Sequence, residues 1–183
     1  MQKIIGISGS LRKDSYNSAL LRAAQELLPE EMTLEIADIS SVPLYNGDLE
    51  ASHFPESVLA LREKIQKADG LLLAMPEYNY SMSGVLKNTI DWLSRPVNNS
   101  VVLSEKPLAL MGASLGMMGT ARALYHMRQT AVFLNMHLLN RPEVFISFAN
   151  TKFDEHLKLT DAPTRDIIAQ LLKSFQTWIK KLS

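Results

Sequence analysis

Residues 71–75 read Leu-Leu-Leu-Ala-Met, an unbroken apolar run opened by Asp69-Gly70 and closed by Pro76. A strand with one wet face alternates apolar and polar residues. A strand with no polar member must be covered on both faces, as in the centre of a parallel sheet. Parallel neighbours need crossover connections, normally helices. The rest of the chain supplies both in alternation. Lys3–Ser8, Thr33–Asp38, Pro107–Ala113 and Val144–Phe148 read as further strands, with Leu138-Leu139 either part of the last or ahead of it. Asn17–Leu28, Pro55–Ala68, Val85–Leu93, Thr120–Leu134 and Ala162–Leu182 carry apolar residues at helical spacing. Pro43–Gly47 and Pro76–Ser83 read as loops, and Ser94–Lys106 as a longer polar connection.

Strands alternating with helices give an α/β class chain with a doubly wound parallel sheet. With five strands, the expected arrangement is flavodoxin-like, in the order 2-1-3-4-5, as one domain over residues 1–183. In such sheets a ligand sits beyond the carboxyl ends of the strands where the winding reverses, here between the first and third. That rule selects the loops Gly9–Asn17, Pro76–Ser83 and Ser114–Gly119, which are also the chemically unusual stretches.

Composition removes several classes of function. Lys+Arg and Asp+Glu both number 19, so the formal net charge is zero. A nucleic-acid partner is therefore not expected, because binding a phosphate backbone requires concentrated positive charge. The chain has no cysteine, which excludes disulfides, thiol catalysis and cysteine–metal sites. The first apolar run breaks at Gly6, too early for a secretory signal, and no run approaches the ~20 residues of a membrane span. A cytoplasmic protein is the expectation. The four histidines lack metal spacing, and the nine methionines read as core filler.

The first loop, GSLRKDSYNSAL, has neither the GxxxxGK[ST] nor the GxGxxG pattern, so neither a triphosphate nor a dinucleotide pyrophosphate is indicated. Short hydroxyl and amide side chains at a helix N-terminus suit a terminal phosphate monoester, with Arg12 adding charge-assisted hydrogen bonds. The competing reading is a capped, solvated turn. The third-strand loop, PEYNYSMSGVLKNTIDW, places two tyrosines and an Asn where a flat heterocycle could lie, against an aromatic-rich surface turn or subunit contact. Lys87, Asn88 and Asp91 on the next helix read as surface or capping groups. GASLG at Gly112–Gly116 formally matches the GxSxG elbow of hydrolases, but Asp154 and His156 are the only downstream acid–histidine pair, in a polar stretch. A phospho-receiver needs an Asp at the end of strand three, where this chain has Met75-Pro76.

Together GSLRKDSYNSAL, MPEYNYSMSGVLKNTIDWLSR and GASLGMMGTAR resemble the NADPH-dependent FMN reductase family, the flavodoxin-like group with quinone, chromate and azo-dye reductases. The resemblance runs in order along nearly the whole chain. It implies bound FMN, with NADPH or NADH as co-substrate, and a quinone, azo compound, metal oxyanion or free flavin as acceptor. It places the phosphate site on Ser10, Arg12, Ser15 and Asn17, lined by Leu11 and Tyr16. The flavin-ring loop falls on Pro76, Glu77, Tyr78, Asn79 and Tyr80, and the third loop contributes Ser114 and Gly116. The chain departs from many members at Ser83, where Pro is common, and at Tyr80, where Gly is common. No side chain is assigned a catalytic acid–base role. A homodimer or homotetramer is expected, because the family's flavin site commonly lies near a subunit interface. The alternative is a flavodoxin-type electron carrier, which usually is markedly acidic where this chain is neutral.

Overall fold

The structure is a computed structural model and describes residues 1–182. Strand β1 (Gln2–Ser8), helix α1 (Tyr16–Glu26) and strand β2 (Met32–Ala37) are followed by two helices, α2 (Gly47–Ser52) and α3 (Glu56–Gln66). Then come β3 (Gly70–Ala74), a short hairpin of β4 (Glu77–Tyr78) and β5 (Ser81–Met82), and α4 (Gly84–Leu93). Strand β6 (Pro107–Ala113), helix α5 (Ala121–Phe133), strands β7 (His137–Leu138) and β8 (Val144–Ile146) and helix α6 (Ala162–Leu182) complete the chain.

The parallel sheet has the order β2-β1-β3-β6, with β7 and β8 both beyond β6. This is the expected order with its fifth position divided in two. His137 and Leu138 pair with Pro107 and Leu108 at the start of β6, whereas Val144–Ile146 pair with Met111–Ala113 at its end. Leu138 and Val144–Ile146 therefore both belong to the fifth position. Between them Asn140-Arg141-Pro142 interrupts the ladder, because proline has no N–H to donate. The last strand stops at Ile146, two residues short of the expected boundary, and Phe148 takes a left-handed φ of 50°.

All five residues of β3 are buried, as the apolar run requires. Side chains alternate between two cores. Ile5, Ile7, Leu71, Leu73, Leu108 and Leu110 pack with Leu61 of α3, Leu86 of α4 and Leu124 of α5. Ile4, Leu72, Ala109 and Met111 face the other way, onto Leu20 of α1 and Phe175 of α6. Fully burying a side chain of this size stabilises the fold by ~1.5–3 kcal/mol, so a one-residue slip in register would exchange the two cores at great cost. Crossing from α1 on one face to α3 on the other puts the reversal between β1 and β3.

Two elements were not expected. The stretch after Pro43–Gly47 forms α2, started by Asn46, whose side chain accepts from the Asp48 N–H at 2.8 Å. Within Pro76–Ser83, antiparallel pairing of Glu77 with Met82 and Tyr78 with Ser81 makes a hairpin. Its two-residue turn, Asn79-Tyr80, has φ of 50° and 67°, positive at both positions as the hairpin's twist demands. Asn accepts this readily; tyrosine does so only against its preference.

Candidate cofactor site

At the β1/β3 reversal a cavity of about 740 Å³ opens at the carboxyl end of the sheet, within the range of small-molecule sites. Its lining contains Ser10, Arg12, Ser15, Tyr16 and Asn17 from the first loop and Pro76, Glu77 and Tyr78 from the second. Ala113, Ser114 and Leu115 follow β6, and Phe148 and Asn150 follow β8. All three selected loops thus meet in one place.

The first loop is a donor cradle built on the end of α1. Ser15 is the N-cap of α1: its Oγ accepts from the Ser18 N–H at 3.3 Å, and its carbonyl accepts from the Ala19 N–H at 2.9 Å. The first-turn N–H groups of Tyr16 and Asn17 have no intrahelical acceptor, as at any helix start, and carry the positive end of the dipole. Ser18 Oγ donates to Ser8 Oγ at 2.9 Å, and Ser10 Oγ accepts from the Arg12 N–H at 3.3 Å. These bonds set the loop's shape while leaving the Ser15 hydroxyl free to donate. The Arg12 side chain is exposed, and its guanidinium has no partner among the described residues.

Asn17 plays a different part. Its side chain is 4 % exposed and doubly bonded to β6, donating from Nδ2 to the Ala113 carbonyl and accepting at Oδ1 from the Ala113 N–H, both at 3.0 Å. It fastens the start of α1 to the strand end, so the group it offers the cavity is its backbone N–H.

The second loop supplies shape more than charge. Glu77 lines the cavity, but its carboxylate is engaged by α5: Oε1 accepts from Arg122 Nε at 2.6 Å, and Oε2 accepts from the Arg122 and Ala123 N–H groups at 3.0 and 3.3 Å. It caps α5 from outside, which that helix needs. Thr120 at the N-cap position is left-handed, with φ of 70°, and makes no capping bond of its own. The guanidinium of Arg122 in turn lies 3.7 Å from the centroid of the Tyr80 ring, and Ser81 Oγ meets His126 Nδ1 at 2.9 Å. The hairpin tip is therefore fastened to α5, so Asn79 and Tyr80 are not among the cavity-lining residues. Tyr78, half exposed, remains at the cavity with Pro76.

Leu11 and Gly116 also lie outside the cavity lining. Leu11 lines an adjoining cleft of about 230 Å³ with Ser8, Ser18 and Asp38. The Gly116 carbonyl accepts from Ser114 Oγ at 3.3 Å and from the Phe148 N–H at 3.4 Å. Ala113, Leu115, Phe148 and Asn150 were not singled out in the sequence. The first two flank Ser114; the others follow the divided strand, where Phe148 had been read as strand. Among the described residues no histidine is hydrogen-bonded to Ser114 Oγ, and Asp154 Oδ1 accepts instead from the His156 and Lys158 N–H groups, so the GxSxG match carries no triad there. Lys87 pairs with Asp91 at 2.7 Å, the surface role expected of both.

The arrangement fits an elongated ligand with an anionic end. The lining combines unengaged donors and an unpartnered guanidinium from the first loop with the flat or apolar side chains of Pro76, Tyr78, Leu115 and Phe148. With Glu77 neutralised by Arg122, the loop charge facing a ligand is positive.

Comparison with known proteins agrees with this geometry. Residues 2–151 match the model of the NADPH-dependent FMN reductase family. The chain is 55% identical to an NAD(P)H-dependent FMN reductase of Pseudomonas aeruginosa, over 98% of this chain and 96% of that protein. It is 44% identical to an NAD(P)H:quinone oxidoreductase of Solanum tuberosum, over 98% and 94%. Among solved structures it resembles the flavoenzyme NAD(P)H:acceptor oxidoreductase FerB of Paracoccus denitrificans, with a TM-score of 0.89 and 32% identity, covering 99% of this chain and 98% of that one. With its order of motifs, its sheet and its cavity in agreement, the chain belongs to the NADPH-dependent FMN reductase family.

Proposed function

We propose that the protein is an FMN-dependent NAD(P)H oxidoreductase that passes two electrons to a small oxidised acceptor, with a quinone as the first choice. The observation that carries the reading is the convergence, in one cavity, of an unpaired Arg12 and the open N-terminus of α1 with the aromatic surface of Tyr78 and Phe148. Bound FMN supplies the two-electron chemistry between nicotinamide and acceptor. The chain's own residues position it. Ser10, Arg12 and Ser15, with the Tyr16 and Asn17 N–H groups, would hold the phosphate monoester. Pro76 and Tyr78 would bound the ring. Ser114, Leu115 and Phe148 limit the opposite wall.

The whole chain acts as one domain in this reading. No helix among the described residues is long and apolar enough to cross a membrane, consistent with a cytoplasmic enzyme acting on a dissolved acceptor. Val132 and Phe133 at the end of α5 are 81% and 87% exposed. Large apolar side chains left this open suit a subunit contact, and we assign this face to a homodimer or homotetramer; a monomer by sedimentation at micromolar concentration would refute that assignment.

The decisive experiment mixes the protein with FMN, NADPH and a simple quinone and follows NADPH consumption. Catalytic consumption with no other protein present is the expected outcome. Turnover only after a separate reductase is added would make the protein an electron carrier instead.

A further inference from the structure

Both cofactor loops meet at one buried hydroxyl. Gly9 is the first residue after β1, where the phosphate loop departs, and its N–H donates to the Ala74 carbonyl at 2.9 Å. A Cβ at Gly9 would sit 2.9 Å from Pro76 Cδ, 3.2 Å from Ser83 Oγ and 3.3 Å from Leu86 Cβ. Pro76 and Ser83 bracket the ring hairpin, so the root of the first loop is wedged between the two ends of the second. Ser83 is 5% exposed. Its hydroxyl donates to the Gly9 carbonyl at 2.6 Å and accepts from the Leu86 N–H at 3.2 Å, capping α4 in the same act.

A serine hydroxyl has one proton and two lone pairs, and here the proton goes to the other loop. An N-cap needs only the acceptor, so the donated bond at 2.6 Å is beyond what capping requires.

We propose that Ser83 is a positioning residue that holds the phosphate loop at a fixed offset from the ring hairpin, so that the two ends of FMN bind cooperatively. The proposal rests on the cofactor reading above. Ser83 touches no ligand; it acts through the Gly9 carbonyl. A preformed offset lowers the cost of ordering the second loop once the first is engaged. Without it, the phosphate anchors one loop and conveys less to the other.

The test uses Ser83→Ala, Ser83→Gly and Ser83→Thr in the full chain. Glycine is nearly as good an N-cap as serine, whereas alanine is not, and threonine retains both the donor and the acceptor. Dissociation constants for FMN and for riboflavin are measured by flavin fluorescence, and exchange of the Gly9 and Ser10 amides by hydrogen–deuterium exchange. One lost hydrogen bond corresponds to roughly tenfold in affinity at most. The FMN-to-riboflavin affinity ratio should therefore fall up to ~10-fold in both Ala and Gly variants and stay within ~2-fold in Thr. Exchange at Gly9 and Ser10 should rise in Ala and Gly alone. A ratio unchanged in Ser83→Gly, with only Ser83→Ala losing thermal stability, would reduce Ser83 to a helix cap and overturn the proposal. Should the wild-type protein bind no FMN, the cofactor reading fails and the proposal falls with it, whereas FMN bound with an unchanged ratio in Ser83→Gly overturns the proposal alone.

Discussion

The two loops at the cavity are equally polar in sequence and opposite in construction. In the first loop, Ser15, Asn17 and Ser18 bond to their own helix start and to neighbouring strand ends. That network leaves Arg12 and the first N–H groups of α1 unengaged at the cavity. In the hairpin of the second loop, the one charged residue, Glu77, is engaged by Arg122 and the start of α5, and the turn tyrosine is stacked under the same arginine. One loop is braced so that its charge stays available; the other uses its charge as the brace. A polar residue near a cavity is therefore a ligand group only where the fold leaves its polar atoms unsatisfied.

The comparison is most directly broken at Glu77. Its side chain is 10% exposed and that of Arg122 35%, so removing the carboxylate leaves a partly buried guanidinium and two helix N–H groups without an acceptor. Glu77→Ala should cost about 3 kcal/mol of stability, toward the low end for a broken buried pair because Arg122 keeps some contact with water. In a chain of this size each kcal/mol moves Tm by ~2–4 °C, so calorimetry should register a fall of about 6–12 °C. Flavin reduction at saturating FMN should slow by less than roughly 100-fold, because the Glu77 carboxylate is already engaged by α5. A loss of 10³-fold or more with FMN in place would show Glu77 to be an acid or base.

Arg12 should answer in the reverse sense. With no partner in the fold, Arg12→Ala should leave thermal stability within about 0.5 kcal/mol, as for other surface changes. A charge-assisted contact to phosphate is worth ~1.5–3 kcal/mol, so FMN affinity should fall roughly 10- to 100-fold while riboflavin affinity stays put. Parallel losses for both flavins would remove Arg12 from the phosphate end.

The smallest effect belongs to Tyr80. Its left-handed φ of 67° disfavours a side chain, while the Arg122 stack at 3.7 Å favours it. Relief of strain and loss of an exposed cation–π contact are each ~1 kcal/mol. Tyr80→Gly should therefore shift Tm by no more than about 4 °C in either direction. A drop of 10 °C would mean that Tyr80 carries the hairpin rather than decorating it.

The doubly wound sheet was legible because its cause is local. Leu71–Met75 has no polar side chain, so both faces had to be covered, and the strand–helix alternation left few ways to do so. The cavity's location followed from that topology, and Ser10, Arg12, Ser15, Tyr16, Asn17, Pro76, Glu77, Tyr78 and Ser114 line it. The divided fifth strand was not legible: Leu138 and Val144 are equally good strand residues, and only the length of β6 lets it accept one at each end. Phe148 and Asn150 escaped notice for the same reason, since their place at the cavity depends on where that strand stops.

The amino-acid sequence by itself determined the main strands and helices, though not α2, the β4–β5 hairpin or the divided fifth strand, and which loops must cluster at the reversal. Those are consequences of side-chain periodicity and backbone preference, read over a few residues. Only the tertiary structure decided the direction of each polar group. Glu77 could turn to the ligand or to α5, and Asn17 to a phosphate or to Ala113. The choice rests with partners 45 and 96 residues away in the chain. A buried polar atom takes the nearest partner that replaces its lost water, and nearness across the fold is not written in any one segment.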